Sequence, residues 1–356
     1  MSQRHVVRPP LPHDPLAATG RPLRWGVVAT GSIARSVTSQ LVRLEDAVLH
    51  AVSSRDVARA RAFAADMGAE VAYGDGDGML GYERLAADPD VEVVYVATPH
   101  GQHYEVARPL IEAGKHVLVE KAFTITGDEA EALVELAAER GVFLMEALWT
   151  RFLPVYQRAL DVVASGELGE VRWVQADLGF TAVRDPRERL WSREAGGGAL
   201  LDLAVYPFTW AFGALGLPSS VRAVGTRTDD GVDGTHALTL TYASGAIAQL
   251  LGTLESQATR TATLGGTLGT LRTFAPLTRP EGFTVATGDD RRREEVALGA
   301  APYAWMLREV TRCVQQGLRE SPTMPLRDTV ATLRLLDAAR TQMGVTYPND
   351  QRTFGR

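Results

Sequence analysis

The sequence predicts an α/β protein in which a doubly wound parallel sheet is followed by an α+β unit on a mainly antiparallel sheet. Three features carry this reading. From Leu23 to about residue 148, short apolar runs alternate with helical stretches, and those runs are apolar on both faces. Past residue 150 the strands mix threonine with aliphatics and are parted by glycine turns such as Ser244-Gly245.

LRWGVVA (23–29) reads as a buried strand, Ile33 to Leu44 as a helix, VLHAVSS (48–54) as a second strand, and Asp56 as the N-cap of a helix reaching Met67. VEVVYVAT (91–98), a helix from His103 to Ala113 closed by Gly114, HVLVE (116–120), a helix from Gly127 to Arg140, and VFLME (142–146) continue the alternation. Right-handed crossovers make such a sheet parallel. A helix from Leu153 to Ser165 then leads into VRWVQADLGF, a polar segment, a glycine-led helix, and the strands VRAVGTRT, HALTLTY, AIAQLLGT and TRTATLGG. Two helices, Tyr303 to Gly317 and Leu326 to Gly344, close the chain, the second expected to pack back on the first unit. The expected division is a flexible proline-bearing tail (1–22), a first domain (23–148) and a second (149–356).

The 356 residues suffice for two cores. A net charge of -6 without long blocks of one sign gives no arm for nucleic acid or membrane. The single cysteine, Cys313, forms no intramolecular disulfide and no thiolate cluster. The first 22 residues hold no apolar core of signal-peptide length, and no later run would cross a bilayer, so a cytoplasmic location is expected. Neither a G-x-S-x-G elbow nor a P-loop occurs, which argues against hydrolase and nucleotide kinase readings.

The turn after the first strand reads Ala29-Thr30-Gly31-Ser32-Ile33-Ala34. Small residues there let the backbone approach a pyrophosphate, whose charge the helix N-terminus favours. Ala29 stands where a dinucleotide turn has its first glycine. The second strand ends Ser53-Ser54-Arg55 and not in an acid. A carboxylate would repel a ribose 2'-phosphate, whereas a hydroxyl and a guanidinium would hold it, so NADP(H) is expected in preference to NAD(H), with Ser54 and Arg55 on that phosphate.

Of the 37 basic residues only Lys115 and Lys121 are lysines. They bracket HVLVE. Ligands of a parallel sheet collect beyond the carboxyl ends of its strands, so Lys121 faces the crevice while Lys115 lies at the opposite edge as a surface ammonium. Unlike arginine, lysine shifts its pKa on burial and can exchange a proton with a substrate hydroxyl. Glu120 stands beside it. Within GGGALLDLAVYPF (196–208), Asp202 and Tyr206 lie four residues apart and share a helix face. A tyrosine near an ammonium can have its pKa lowered and act as an acid or base. His100 and His103 in ATPHGQH follow another strand; no cysteine or acid cluster joins them, so they are read as neighbours of the nicotinamide ribose and no metal is expected.

Together, Ala29 to Ala34, ATPHGQH, AGKHVLVEKAF and GGGALLDLAVY resemble the glucose-fructose oxidoreductase, inositol dehydrogenase and MocA family over nearly the whole chain after the tail. MEALWTRFLP (145–154) and ESPTMPLRDT are similar to its dimeric dihydrodiol dehydrogenase and NADP-dependent D-xylose 1-dehydrogenase branch. The resemblance implies a Rossmann domain and a C-terminal α+β domain whose open sheet face forms a homodimer or a dimer of dimers. It implies catalytic roles for Lys121, Asp202 and Tyr206 and a 2'-phosphate role for Arg55. Cofactor contacts are expected from Thr30, Gly31, Ser32, Ile33, Ser54, Thr98, Pro99, His100, His103, Glu120 and Lys121. Trp149 and Phe152 match pocket residues; Arg151, Phe180, Asp202, Tyr206 and the arginine-rich segment 181–195 are expected beside them. Ala122 replaces the family's proline after Lys121, leaving that backbone less constrained.

The reaction expected is hydride transfer between NADP(H) and a secondary alcohol or hemiacetal carbon of a sugar, polyol or cyclic trans-diol. Two alternatives stand beside it, a ketoreductase for a nucleotide-linked or aminocyclitol sugar, and a non-catalytic cofactor-binding regulator.

Overall fold

A computed structural model describes residues 12–185 and 188–354. Strand β1 (Leu23–Val28), helix α1 (Ser32–Leu41), β2 (Ala47–Ser53), α2 (Val57–Met67), β3 (Val71–Tyr73), α3 (Gly81–Ala87), β4 (Val93–Val96), α4 (His103–Glu112), β5 (His116–Val119), α5 (Gly127–Arg140) and β6 (Leu144–Glu146) build the first layer. Its six strands are ordered β3-β2-β1-β4-β5-β6, and every pair is parallel. The sequence order reverses between β1 and β4. Their carboxyl ends therefore border the crevice expected for a ligand.

The rest comprises α6 (Pro154–Ala164), β7 (Val171–Gly179), α7 (Ala199–Leu203), α8 (Val205–Leu215), β8 (Ser220–Arg227), β9 (Asp233–Thr241), β10 (Ile247–Thr253), β11 (Ala262–Gly266), β12 (Gly269–Thr273), β13 (Gly282–Thr287), β14 (Asp290–Glu295), α9 (Ala304–Gln315) and α10 (Leu326–Met343). Eight strands form the sheet β14-β13-β12-β11-β7-β10-β9-β8, antiparallel except for β7 against β10. Val174, Ala176, Leu240, Ala248 and Leu250 point to the face that α8 covers and are buried. The other face carries alternate residues of the same strands, as the two-residue period requires.

Some elements carry no clear local pattern. β3 and α3 are short and flank the Asp77-Gly78 turn, where both residues have positive φ. β14 is DRRREE, charged throughout, because it is the sheet's edge and needs no second apolar face. α1 stops at Leu41, short of the expected Leu44, as the chain tightens into Arg43 N→Gln40 O and Leu44 N→Leu41 O bonds.

Two expectations are corrected. Residues 12–22, expected to be flexible, are tied down: Thr19 N donates to Asp46 Oδ2 at 2.7 Å, and Arg308 Nε to the Pro15 carbonyl at 3.0 Å. The anchor is the buried pair of Arg308 on α9 with Asp46, Nη1 lying 2.6 and 2.8 Å from the two carboxylate oxygens. Residues 1–11 of the expected tail lie outside the described residues. Lys115 is not a surface ammonium. It is buried, and its Nζ donates to the carbonyls of Asp88 (2.5 Å) and Val91 (2.8 Å), fastening the turn that enters β4.

Candidate active site

Lys121 leaves β5 at its carboxyl end, and α7 brings Asp202 to meet it. Lys121 Nζ donates to the Asp202 carbonyl at 2.7 Å and lies 3.4 Å from carboxylate Oδ1. The same Nζ stands 5.0 Å from the centroid of the Tyr206 ring, so the ammonium rests on the aromatic face. Tyr206 begins the next helix, α8, and its hydroxyl accepts from Trp149 Nε1 at 3.2 Å. Trp149 in turn packs on Tyr303, centroids 4.8 Å apart. All three proposed catalytic side chains are largely buried: 14% of the Lys121 side chain and 7% of the Asp202 side chain are exposed.

The charge states follow from this packing. Burial opposes the Asp202 carboxylate, but Lys121 and then Arg189 outweigh it and hold its pKa well below the usual range. Burial also works against the Lys121 ammonium. Here Asp202 prevails, and the lysine pKa lies above its ordinary value. Burial raises the Tyr206 phenol more than Lys121 lowers it. The tyrosine thus departs from the expectation of a phenol tuned downward, because its burial counts for more than the nearby ammonium, while at Lys121 the bonded carboxylate outweighs the desolvation.

The histidines serve the backbone. His100 places Nδ1 2.9 Å from the Gly196 carbonyl and Nε2 2.9 Å from the Lys121 carbonyl. His103 places Nδ1 2.9 Å from the Ala122 carbonyl and Nε2 2.8 Å from that of Thr98. Burial, reinforced by His103, lowers His100 to about 3, and burial lowers His103 as well, so both are neutral rings, each donating its single N–H to one of those carbonyls. They stitch the segment after β4 to the one after β5, where the Lys121–Ala122 peptide is cis. Gly196 must be glycine: a Cβ there would come 2.3 Å from Ile125 and 2.8 Å from the His100 Cβ. Glu120 is buried, accepts from the Tyr95 hydroxyl at 2.6 Å, and has its pKa raised by burial.

At the other end of the crevice, Gly31 starts α1 with no side chain capping it and nothing within 4 Å of a Cβ added to it. Ala29 takes φ 88, the left-handed region where glycine is at ease. Ser54 continues from β2, its amide donating to the Tyr73 carbonyl at 3.1 Å. Arg55 is exposed, and its guanidinium meets no carboxylate among the described residues.

Not every expected residue joins this cluster. Arg151 is buried against Asp328, Nη1 to Oδ2 at 2.7 Å, and Phe152 lies in the core. Phe180 continues from β7, half-buried and bonded through its amide to Thr253. Conversely, Arg189 emerges as a direct partner of Asp202, Nη1 to Oδ1 at 2.9 Å. It was visible in the sequence only as one arginine of segment 181–195, of which 186 and 187 lie outside the described residues. Tyr347 is also new: its hydroxyl donates to the Gly197 carbonyl at 2.6 Å. No local pattern marks it, since its partner is 150 residues away.

A family model described as an oxidoreductase family with an NAD-binding Rossmann fold matches residues 23–148, and one described as a GFO/IDH/MocA C-terminal domain matches 156–272. The chain is 35% identical over 345 residues to the trans-1,2-dihydrobenzene-1,2-diol dehydrogenase of Bos taurus, covering 92% of this chain and 99% of that one. It is 32% identical over 374 residues to the D-xylose 1-dehydrogenase (NADP(+)) of Hypocrea jecorina, covering 93% and 95%. Among solved structures, a 3-ketoreductase from Actinomadura kijaniata, in complex with NADP and TDP-benzene, superposes with TM-score 0.79 at 28% identity over 91% of this chain and 98% of that one.

Proposed function

This chain belongs to the Gfo/Idh/MocA oxidoreductase family, and we propose that it moves a hydride between NADP(H) and a secondary alcohol or hemiacetal carbon of a sugar, polyol or cyclic trans-diol. The single observation that carries this reading is the ammonium of Lys121 at the carboxyl end of β5, held between Asp202 and the Tyr206 ring. Residues 23–148 would bind the cofactor and 149–356 the substrate.

The chain's own groups fit the dinucleotide. The uncapped start of α1, with open space at Gly31, suits a pyrophosphate. Arg55, exposed and without a carboxylate partner among the described residues, suits the 2'-phosphate, with Ser54 beside it. Thr98 Oγ1, just past β4, is buried without a partner among the described residues, and a ribose hydroxyl would complete it. Thr30, Ser32, Ile33, Pro99 and Glu120 would line the same path. The bound nicotinamide supplies the hydride acceptor or donor.

Lys121 has one N–H beyond the two directed at Asp202, and that donor would hold the substrate oxygen. With both Lys121 and Tyr206 shifted upward, each carries its proton at neutral pH, so the resting site is set to donate a proton to a carbonyl being reduced. In oxidation, Lys121 Nζ must first give up a proton before it can take the one from the substrate hydroxyl. Trp149 fixes the phenol and forms one wall, and a neutral sugar or diol suits a site whose cations face Asp202. Spectrophotometric assay of NADP+ reduction over aldoses, inositols and cyclic trans-diols tests the proposal. Turnover of at least one class is expected; tight NADPH binding with none would favour a non-catalytic regulator.

A second copy of the chain is the partner proposed for the uncovered face of the large sheet. Trp173, Ile247, Leu251 and Val224 are exposed there. They form rows across the strands, Trp173 opposite Ile247, and Leu251, Ala237 and Val224 in line. An apolar face of this kind marks an association surface. No helix is long and apolar enough to cross a membrane. A cytoplasmic setting is proposed, in keeping with the single buried thiol.

A further inference from the structure

Two cations share the carboxylate of Asp202. Arg189 Nη1 donates to Oδ1 at 2.9 Å, while Lys121 Nζ is 3.4 Å from that same oxygen and makes its short bond to the backbone carbonyl. Half of the Arg189 side chain is exposed, so it closes over the buried acid from the solvent side. The arginine therefore holds the better bond to the charged oxygen, and the lysine is left with the neutral one.

Resting on the reading that Lys121 exchanges the substrate proton, we propose that Arg189 is a positioning residue that draws the Asp202 carboxylate away from Lys121 and so eases release of the ammonium proton. The surroundings leave few other groups to do this. Lys121 is faced by Asp202 on α7, Tyr206 on α8, Glu120 at the end of β5, His100 and His103 after β4, and Tyr303 before α9. The histidines are neutral through burial, and the tyrosines keep their protons. Among the described residues, Arg189 is the other fixed cation on Asp202. A guanidinium does not deprotonate, so its pull is the same at every working pH. Without it, a lone carboxylate beside an ammonium would hold the proton more firmly.

The chain's two lysines make a direct test possible, because Lys115 is buried and reports on global opening. The free protein would be trace-labelled with acetic anhydride at pH 8.5, and acetylation of Lys121 and Lys115 read by mass spectrometry of their peptides. Acylation follows the neutral-amine fraction. Arg189→Gln should label Lys121 about three- to tenfold more slowly, the equivalent of about half to one pH unit. Removing a covering side chain would by itself speed labelling, so a steric effect has the opposite sign. Arg189→Lys should recover most of the wild-type rate. The acid limb of kcat/KM for alcohol oxidation should move to higher pH in Arg189→Gln by the same amount. Unchanged or faster labelling of Lys121 in Arg189→Gln, with Lys115 unaltered, overturns the proposal. Loss of the underlying proton-transfer reading would appear elsewhere, as near-normal turnover in Lys121→Ala.

Discussion

Lys121 and Asp202 lie 81 residues apart in the chain, yet the lysine ammonium donates to the aspartate's own backbone carbonyl at 2.7 Å. The main chain of α7 thus fixes the lysine even apart from the carboxylate. Removing the ammonium takes away the proposed proton-exchanging group and at most one of the many expected cofactor contacts. Lys121→Ala and Tyr206→Phe should each lower kcat by about 10²-fold or more, with NADPH affinity little changed, as fluorescence titration would measure. Lys121→Arg should fail to rescue, since a guanidinium keeps its proton. Activity within a few-fold of wild type in Lys121→Ala removes the assignment.

Arg55 bears on the choice of cofactor. Its guanidinium stands just past the end of β2 and meets no carboxylate among the described residues. Arg55→Ala should weaken NADPH by about 1.5–3 kcal/mol, roughly 10- to 100-fold, and leave NADH nearly as it was. Equal losses for both cofactors would take Arg55 off the 2'-phosphate.

The Arg308–Asp46 pair links α9 to the start of β2 and holds residues 12–22. Burial opposes the Asp46 carboxylate, but bonds from Thr19, Gln315 and Arg308 outweigh it, and the pKa is lowered. A carboxylate depressed in the fold stabilises it fully above the unfolded-state value near about 3.9, and that contribution is lost as pH falls through the folded-state pKa. Asp46→Asn should cost about 3–5 kcal/mol at pH 7, because Arg308 is left buried without its counter-charge. The difference from wild type, measured by denaturant unfolding, should shrink in strong acid. A constant difference down to pH 2 would contradict it.

Ala29 occupies a left-handed backbone conformation, φ 88, that costs an L-residue about 1 kcal/mol. Ala29→Gly should raise the melting temperature by roughly 2 °C, net of the entropy that glycine adds to the unfolded chain. A lower melting temperature would show that the alanine methyl makes compensating contacts.

The exposed rows on the large sheet give a separate test. Leu251→Arg places a charge in the centre of the apolar face, and should convert a dimer to a monomer by light scattering without lowering NADPH affinity. A wild-type chain that is already monomeric at micromolar concentration would end the dimer proposal.

The sequence by itself determined the parallel layer, because strands buried on both faces must be apolar throughout and helices between them repeat at a different period. It also put Lys121 at the carboxyl end of its strand, since the end of a strand on which a residue falls is a matter of chain order. Asp202 and Tyr206, expected on one face of a single helix, instead fall on the successive helices α7 and α8, which break at Ala204. Only the tertiary structure decided the charges. Asp202 approaches Lys121 from a distant segment, and this contact raises the ammonium's pKa where burial alone would lower it. Tyr303 and Tyr347 stayed illegible for the same reason, being set by contacts across long separations, and Arg189 stood out from the other arginines of segment 181–195 by no local pattern. Lys115 was misread as exposed because the carbonyls that hold it, those of Asp88 and Val91, belong to the backbone, which every sequence has and no composition reveals.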